Sequence, residues 1–238
     1  MSISENVATV RQRIAAAARR IGRNPSDITL MAVSKTQAPE LIHEAYDTGI
    51  TVFGENRVQE FAGKIAALRN LSAAEWHMIG HLQTNKAAKT AELFYAVDSV
   101  DSLKLAEKLD AAARALGKKL DVLIEINVGG EAAKSGLALD SPALNELLLA
   151  APRLEGLRFR GLMTVPPFDE DSQNARPYFR KLRELRDVIT RRKLAAIEMN
   201  QLSMGMSHDF EIAIEEDRLA CGWGLQSLGK EPTLNHGG

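Results

Sequence analysis

Lys35 is the residue in this sequence best placed to act as a nucleophile. It directly follows the apolar run Ile28-Thr29-Leu30-Met31-Ala32-Val33-Ser34, so its side chain would leave a wall of low dielectric. Desolvation disfavours an ammonium ion, lowers a lysine pKa and activates the amine toward an aldehyde carbon. A plainer role competes with this one: a strand-end lysine whose stem lies along apolar surface while its head reaches water. A second candidate is Ser203-Met204-Gly205-Met206-Ser207, which separates a strand-like run from a short helical pattern. Glycine lets backbone approach a ligand closely, and a helix N-terminus offers N–H groups to an anion such as phosphate. Here the plainer role is Ser207 as N-cap of the following helix. Glu55 and Glu125 have the chemistry of carboxylate acid–base groups, although such residues more often form ion pairs at a rim, here with Arg57 or Lys134. His77 and His81 are separated by Gly80 in a strand-like stretch, and His43, His208 and His236 are scattered. With one cysteine and no ligand-spaced cluster, a structural zinc site is not expected. There is no Walker loop or dinucleotide fingerprint either.

The elements that must position these residues alternate regularly. Residues 5–22 carry Val7, Val10, Ile14, Ala17 and Ile21 at helical spacing, with arginines mostly on the other face. Strand-like runs follow at 28–34, 52–54, 76–80, 94–98, 120–127, 159–165 and 197–203. Between them lie helical patterns at about 38–48, 56–69, 84–92, 101–116, 141–151 and 172–194, with a last short one at 207–215. Runs that are apolar on both faces suit parallel strands covered on both sides. Seven strand–helix units followed by a weak eighth strand within 217–229 predict a (β/α)8 TIM-type barrel, with an open doubly wound sheet as the alternative. In a barrel the chemistry gathers where strands end. Those ends supply Lys35, then Glu55-Asn56-Arg57, Gly80-His81, Asp98, Asn127, Met163-Thr164 and the segment from Ser203 to Ser207. Residues 1–229 are expected to form one barrel domain and 230–238 a disordered tail.

Composition excludes several classes. The chain has 238 residues, formal net charge −1, 45% hydrophobic and 26% charged residues, which is ordinary for a globular protein. No basic stripe points to nucleic acid or an anionic membrane. No apolar run approaches the ~20 residues of a membrane-spanning helix. The first residues lack the basic and apolar regions of a signal peptide. A lone cysteine, Cys221, suits a reducing compartment, and a cytoplasmic location is expected.

Taken together, the strand ends resemble a known family. The strings Ala-Val-Ser-Lys at 32–35, Phe-Gly-Glu-Asn-Arg-Val-Gln-Glu at 53–60 and Trp-His-Met-Ile-Gly-His-Leu-Gln-Thr-Asn-Lys at 76–86 are distinctive. So are Ile-Asn-Val at 126–128 with Lys-Ser-Gly at 134–136, Gly-Leu-Met-Thr at 161–164, and Leu-Ser-Met-Gly-Met-Ser-His-Asp-Phe at 202–210. In this order they resemble the pyridoxal phosphate homeostasis protein family over about 1–216. The resemblance implies a fold like the barrel domain of bacterial alanine racemase, with pyridoxal 5′-phosphate (PLP) held as a Schiff base on Lys35 and Asn56 near its ring. It implies a phosphate site shared by Ser203, Met204 and Gly205 with the loop after the eighth strand, where Gly224 and Leu225 stand. It also implies a monomeric carrier or regulator of PLP, without established turnover, that supplies PLP-dependent apo-enzymes. The alternative is a PLP-dependent amino-acid racemase. Racemases of this fold take an opposing tyrosine base from a second, β-rich domain, for which the chain beyond the barrel is expected to leave no room.

The last residues depart from the family pattern Gly-Ser-Thr-x-Val-Arg-x-Gly-Thr-Ala-Ile-Phe-Gly. Gly222 stands where the resemblance implies an arginine facing the pyridine nitrogen, and Leu225 where it implies a threonine at the phosphate. Charge-assisted hydrogen bonds are worth about 1.5 to 3 kcal/mol and neutral ones about 1, so their joint loss would weaken binding by about two or three decades. A frameshift would account for the departure. Reading from the last base of the Glu216 codon, with Cys221 as TGC, Gly222 as GGN and Trp223 as TGG, gives CGG, NTG and GGG. These encode arginine, an apolar residue and glycine, and allowed codons on either side spell the rest of the motif.

Overall fold

The computed structural model describes residues 2–131 and 134–216 and, for the backbone, 220–224. The chain opens with helix α1 (Ile3–Arg20), whose N-terminus is a capping box: the Ser2 hydroxyl accepts from Glu5 N–H and the Glu5 carboxylate accepts from Ser2 N–H. Val7, Val10, Ile14 and Ala17 are buried as their spacing predicts, whereas Ile21 falls beyond the helix and is exposed. Each buried valine or isoleucine is worth about 1.5 to 3 kcal/mol of transfer free energy.

Strands and helices then alternate: β1 (Thr29–Val33), α2 (Pro39–Asp47), β2 (Val52–Glu55), α3 (Val58–Lys64), β3 (Glu75–Met78), α4 (Ala87–Leu93), β4 (Ala96–Val100), α5 (Leu103–Ala115), β5 (Leu120–Glu125), α6 (Pro142–Ala150), β6 (Leu157–Met163), α7 (Arg176–Arg191), β7 (Ile197–Ser203), α8 (Phe210–Glu215) and β8 (Ala220–Gly224). All neighbours are parallel and the strand order β1 to β8 closes on itself, so the open sheet does not form. The seam is uneven. Strand β8 pairs with β1 from Thr29↔Ala220 to Val33↔Gly224, but with β7 only at Ser203↔Ala220.

An aromatic cluster fixes which residues face inward. Phe53 and Trp76 are register partners on β2 and β3, stacked 4.9 Å apart. Phe61 of α3 lies 4.8 Å from both Trp76 and Phe94. These rings therefore fill the layer between sheet and helices. Because side chains alternate across a strand, Met31, Val33 and His77 point into the barrel, and Gly54 leaves room there for Met31 and Ile79.

Several boundaries differ from the expected ones. β4 runs to Val100 rather than ending at Asp98, because Phe94 belongs to the aromatic cluster and the Asp98 carboxylate finds a partner inside the barrel. The long helix begins at Arg176, after a tight turn over Ser172–Ala175, with Pro177 in its first turn. The last helix begins at Phe210, and its N-cap is Asp209 rather than Ser207. Residues 217–219 and 225–238, and with them Leu225 and the predicted tail 230–238, lie outside the described residues.

Candidate functional site

The C-terminal mouth of the barrel holds a cavity of about 360 Å³ lined by residues from several strands and their loops. Lys35, Asn56, Ser203, Met204 and Gly205, all singled out from the sequence, share it. The backbone of Gly224 ends β8 opposite Val33, two residues before Lys35. Met31, Val33 and Ile79 form part of the apolar floor, with Met163, Thr164 and Val165 on the opposite side. Met31 and Val33 were missed, although counting back from Lys35 in steps of two along an inward-facing strand would have found them.

Lys35 lies beyond the last strand residue, at the open mouth, and is solvent-exposed. The dry surroundings expected for it are therefore not provided by the β1 wall, which ends at Val33. Its direction follows from alternation: it continues the inward row from Met31 and Val33. Among the described residues it forms no ion pair.

A second lysine lies just behind it. Lys64 of α3 is buried, and its ammonium lies 2.8 Å from Glu55 Oε1, 3.1 Å from Glu60 Oε1 and 2.9 Å from the Ser34 carbonyl oxygen. Three acceptors use all three of its hydrogens. The Ser34 hydroxyl donates to the Glu55 carboxylate. Burial pushes the Glu55 carboxyl above its ordinary value, although hydrogen bonds from Lys64 and Ser34 oppose this. Glu55 thus pairs with Lys64, not with Arg57, because the outward face of β2 packs on α3. Glu125 accepts from the Ser135 hydroxyl at 2.9 Å, while Lys134 pairs with Glu131 at 2.7 Å. Burial raises the Glu125 carboxyl as well. Neither glutamate is among the residues lining the cavity.

The loop after β7, which lines the cavity, packs closely on α8 because Gly205 allows it. Its φ is +84°, and a Cβ there would lie 2.7 Å from Ala213 Cβ and 3.0 Å from Phe210 Cα. Asp209 Oδ1 accepts from Met206 N–H at 2.5 Å, folding the loop back on the start of α8. Gly80 serves Asn56 in the same way: a Cβ there would collide with the Asn56 carbonyl oxygen. Thr164 lines the cavity with its hydroxyl already donated to Ile126 O at 2.7 Å. Asn127 faces away, its side-chain amide donating to Glu131 O and Lys134 O in its own loop.

Deeper in the barrel, His77 Nδ1 lies 2.9 Å from Asp98 Oδ1. Burial alone would lower the imidazole pKa, but the Asp98 carboxylate outweighs it and holds the value above 6.5. The pairing of His77 with Asp98 was not anticipated, since nothing in their spacing links them.

The chain matches the family described as "Alanine racemase, N-terminal domain" over residues 5–225. It is 45% identical over 216 residues to the "Pyridoxal phosphate homeostasis protein" of Aquifex aeolicus, covering 91% of this chain and 92% of the relative. Among solved structures it is similar to PipY of Synechococcus elongatus, determined with PLP bound. The TM-score is 0.80 and the identity 31%, covering 96% of this chain and 100% of PipY. The alanine racemase of Streptomyces coelicolor shares the fold, with a TM-score of 0.68 and 20% identity, covering 93% of this chain and 57% of that one.

Proposed function

This chain belongs to the pyridoxal phosphate homeostasis protein family, built on the alanine racemase N-terminal domain, and from that premise we propose that it holds PLP as a Schiff base on Lys35 and acts as a carrier or regulator of the cofactor. One observation carries the proposal. Of the two lysines near the end of β1, Lys64 reaches it from α3 and is buried and saturated by three acceptors, whereas Lys35 lines the cavity with no ion-pair partner among the described residues. In forming the Schiff base the Lys35 nitrogen bonds to the aldehyde carbon and gives up two hydrogens, which leave with the carbonyl oxygen as water. The cavity suits such a group: an apolar floor of Met31, Val33 and Ile79 for a ring, Asn56 beside it, and at the far side the loop from Ser203 through Met204 and Gly205 for a phosphate. Gly224 brings the end of β8 to the same mouth. Leu225 lies outside the described residues; the family motif has a threonine at its position, and a leucine has no hydroxyl to donate to a phosphate.

Reversible imine chemistry suits a carrier that hands PLP to PLP-dependent apo-enzymes, because hydrolysis releases the aldehyde unchanged. Borohydride reduction of the PLP-loaded protein, followed by peptide mapping, tests the assignment. The label is expected on Lys35, and Lys35→Ala should lose both the label and the Schiff-base absorbance. A label retained in that variant would overturn the proposal. Racemisation of a D- or L-amino acid by the purified protein would overturn the carrier role.

The eighth strand belongs to the same proposal. Without the ring-facing guanidinium and the hydroxyl that the family motif supplies, this chain should hold PLP less tightly than its relatives. Gene sequence whose codons cannot spell Val-Arg-x-Gly-Thr in the displaced frame would end the frameshift account.

A further inference from the structure

We infer that Glu55, Glu60 and Lys64 are positioning residues for Lys35, clamping the residues on either side of it so that its side chain is aimed into the cavity. The inference rests on Lys35 being the amine that takes PLP. Ser34 and Thr36 are both tied to the helix layer, and Lys35 between them points the other way. Ser34 N–H continues the ladder to Gly54 O at 2.9 Å. The Ser34 carbonyl accepts from Lys64 Nζ at 2.9 Å, and its hydroxyl donates to Glu55. Thr36 N–H donates to Glu60 Oε1 at 2.5 Å, and the same oxygen lies 3.1 Å from Lys64 Nζ. Lys64 and Glu60 of α3 therefore hold the backbone on either side of Lys35, while Glu55 of β2 holds the Ser34 hydroxyl and the Lys64 ammonium.

Two features set this cluster apart from one selected for stability alone. Thr36 adopts φ +60°, a left-handed conformation that a β-branched residue enters only when its surroundings hold it there. Lys64 is 9% exposed and Glu55 fully buried, and Glu55 Oε2 has no hydrogen-bond partner among the described residues. Buried ion pairs contribute little net stability compared with apolar residues of the same volume. What such a cluster does supply is a fixed direction. Glu60 and Lys64 are one helical turn apart on α3, so a rigid element carries the clamp.

The test distinguishes imine formation from the non-covalent binding that precedes it. PLP is added to purified protein, and the adduct trapped by borohydride is followed with time in wild type, Lys64→Met, Glu60→Ala and Glu60→Gln. Non-covalent PLP affinity is measured with the same changes in a Lys35→Ala background. Lys64→Met and Glu60→Ala are expected to trap about 10- to 100-fold more slowly with unchanged non-covalent affinity. Glu60→Gln keeps an oxygen for Thr36 N–H and should recover most of the rate. Hydrogen exchange of the Thr36 amide in the protein without PLP should quicken in Glu60→Ala and not in Glu60→Gln. Wild-type trapping rates in both Lys64→Met and Glu60→Ala would overturn the positioning role. Should Lys64→Met fail to fold, equal rates in Glu60→Ala and Glu60→Gln would overturn it alone. An adduct that persists in Lys35→Ala strikes the Schiff-base assignment instead.

Discussion

His77 and Asp98 face each other inside the barrel, beneath the cavity floor. Their second ring nitrogen and second carboxylate oxygen have no hydrogen-bond partner among the described residues. Such a pair makes stability depend on pH in a definite direction. The folded imidazole is held above its ordinary 6.5, against its own burial, by the Asp98 carboxylate. Its contribution is therefore fully present below pH 6.5 and is lost as pH rises through the higher folded value. Urea unfolding of wild type should show stability declining across that range. Asp98→Asn should cost about 2 kcal/mol at about pH 6 and less in mildly alkaline solution, and parallel pH profiles for the two proteins would exclude the pairing. Neither residue could be matched to the other from sequence, since the contact is made by two neighbouring strands.

Helix α8 is short but strongly tied. Its last residue, Glu215, pairs with Arg20 of α1 at 2.9 Å and with Arg176 of α7 at 2.6 Å. Glu216, which follows it, meets Arg176 at 3.3 Å and Arg180 at 3.1 Å. Burial alone would raise the Glu216 carboxyl, but hydrogen bonds from Arg180 and Arg176 hold it below the usual glutamate value of 4.5. A carboxylate depressed in the fold stabilises above its unfolded pKa, and that contribution fades as pH falls through the folded value. Glu216→Gln should cost about 2 kcal/mol near neutrality, measured by urea unfolding, and less as the solution is acidified below pH 4.5. The start of α8, next to the Ser203–Ser207 loop that lines the cavity, is tied separately, by Glu211 to Arg13 at 3.1 Å. An acid-stable difference between the two proteins would show that the network carries no charge-dependent stability.

Closure of the barrel depends on a strand that its own sequence supports weakly. Ala220-Cys221-Gly222-Trp223-Gly224 contains two glycines and no β-branched residue, which weakens a strand. Its backbone nevertheless follows β1 over five register pairs, while the seam to β7 is a single pair among the described residues. We expect a protein carrying Gly222→Arg and Leu225→Thr to bind PLP about 100-fold more tightly, read by spectral titration. Equal affinities would mean that the divergent segment does not limit binding.

The order of strands and helices, and the lysine that opens the first loop, were fixed by hydrophobic period and by the residues at strand ends. Those are local signals, repeated within a few residues of one another. Asn56 and the Ser203–Ser207 loop could be named for the same reason, each standing where an apolar run stops. Tertiary structure alone decided who meets whom. Glu55 turned to Lys64 rather than Arg57, because the outward face of β2 packs on α3. Asp98 went inside, because His77 was there to share its charge. Lys35 remained in water at the mouth, because β1 stops at Val33. Charge and burial depend on distances across the fold, and a linear sequence does not carry those distances.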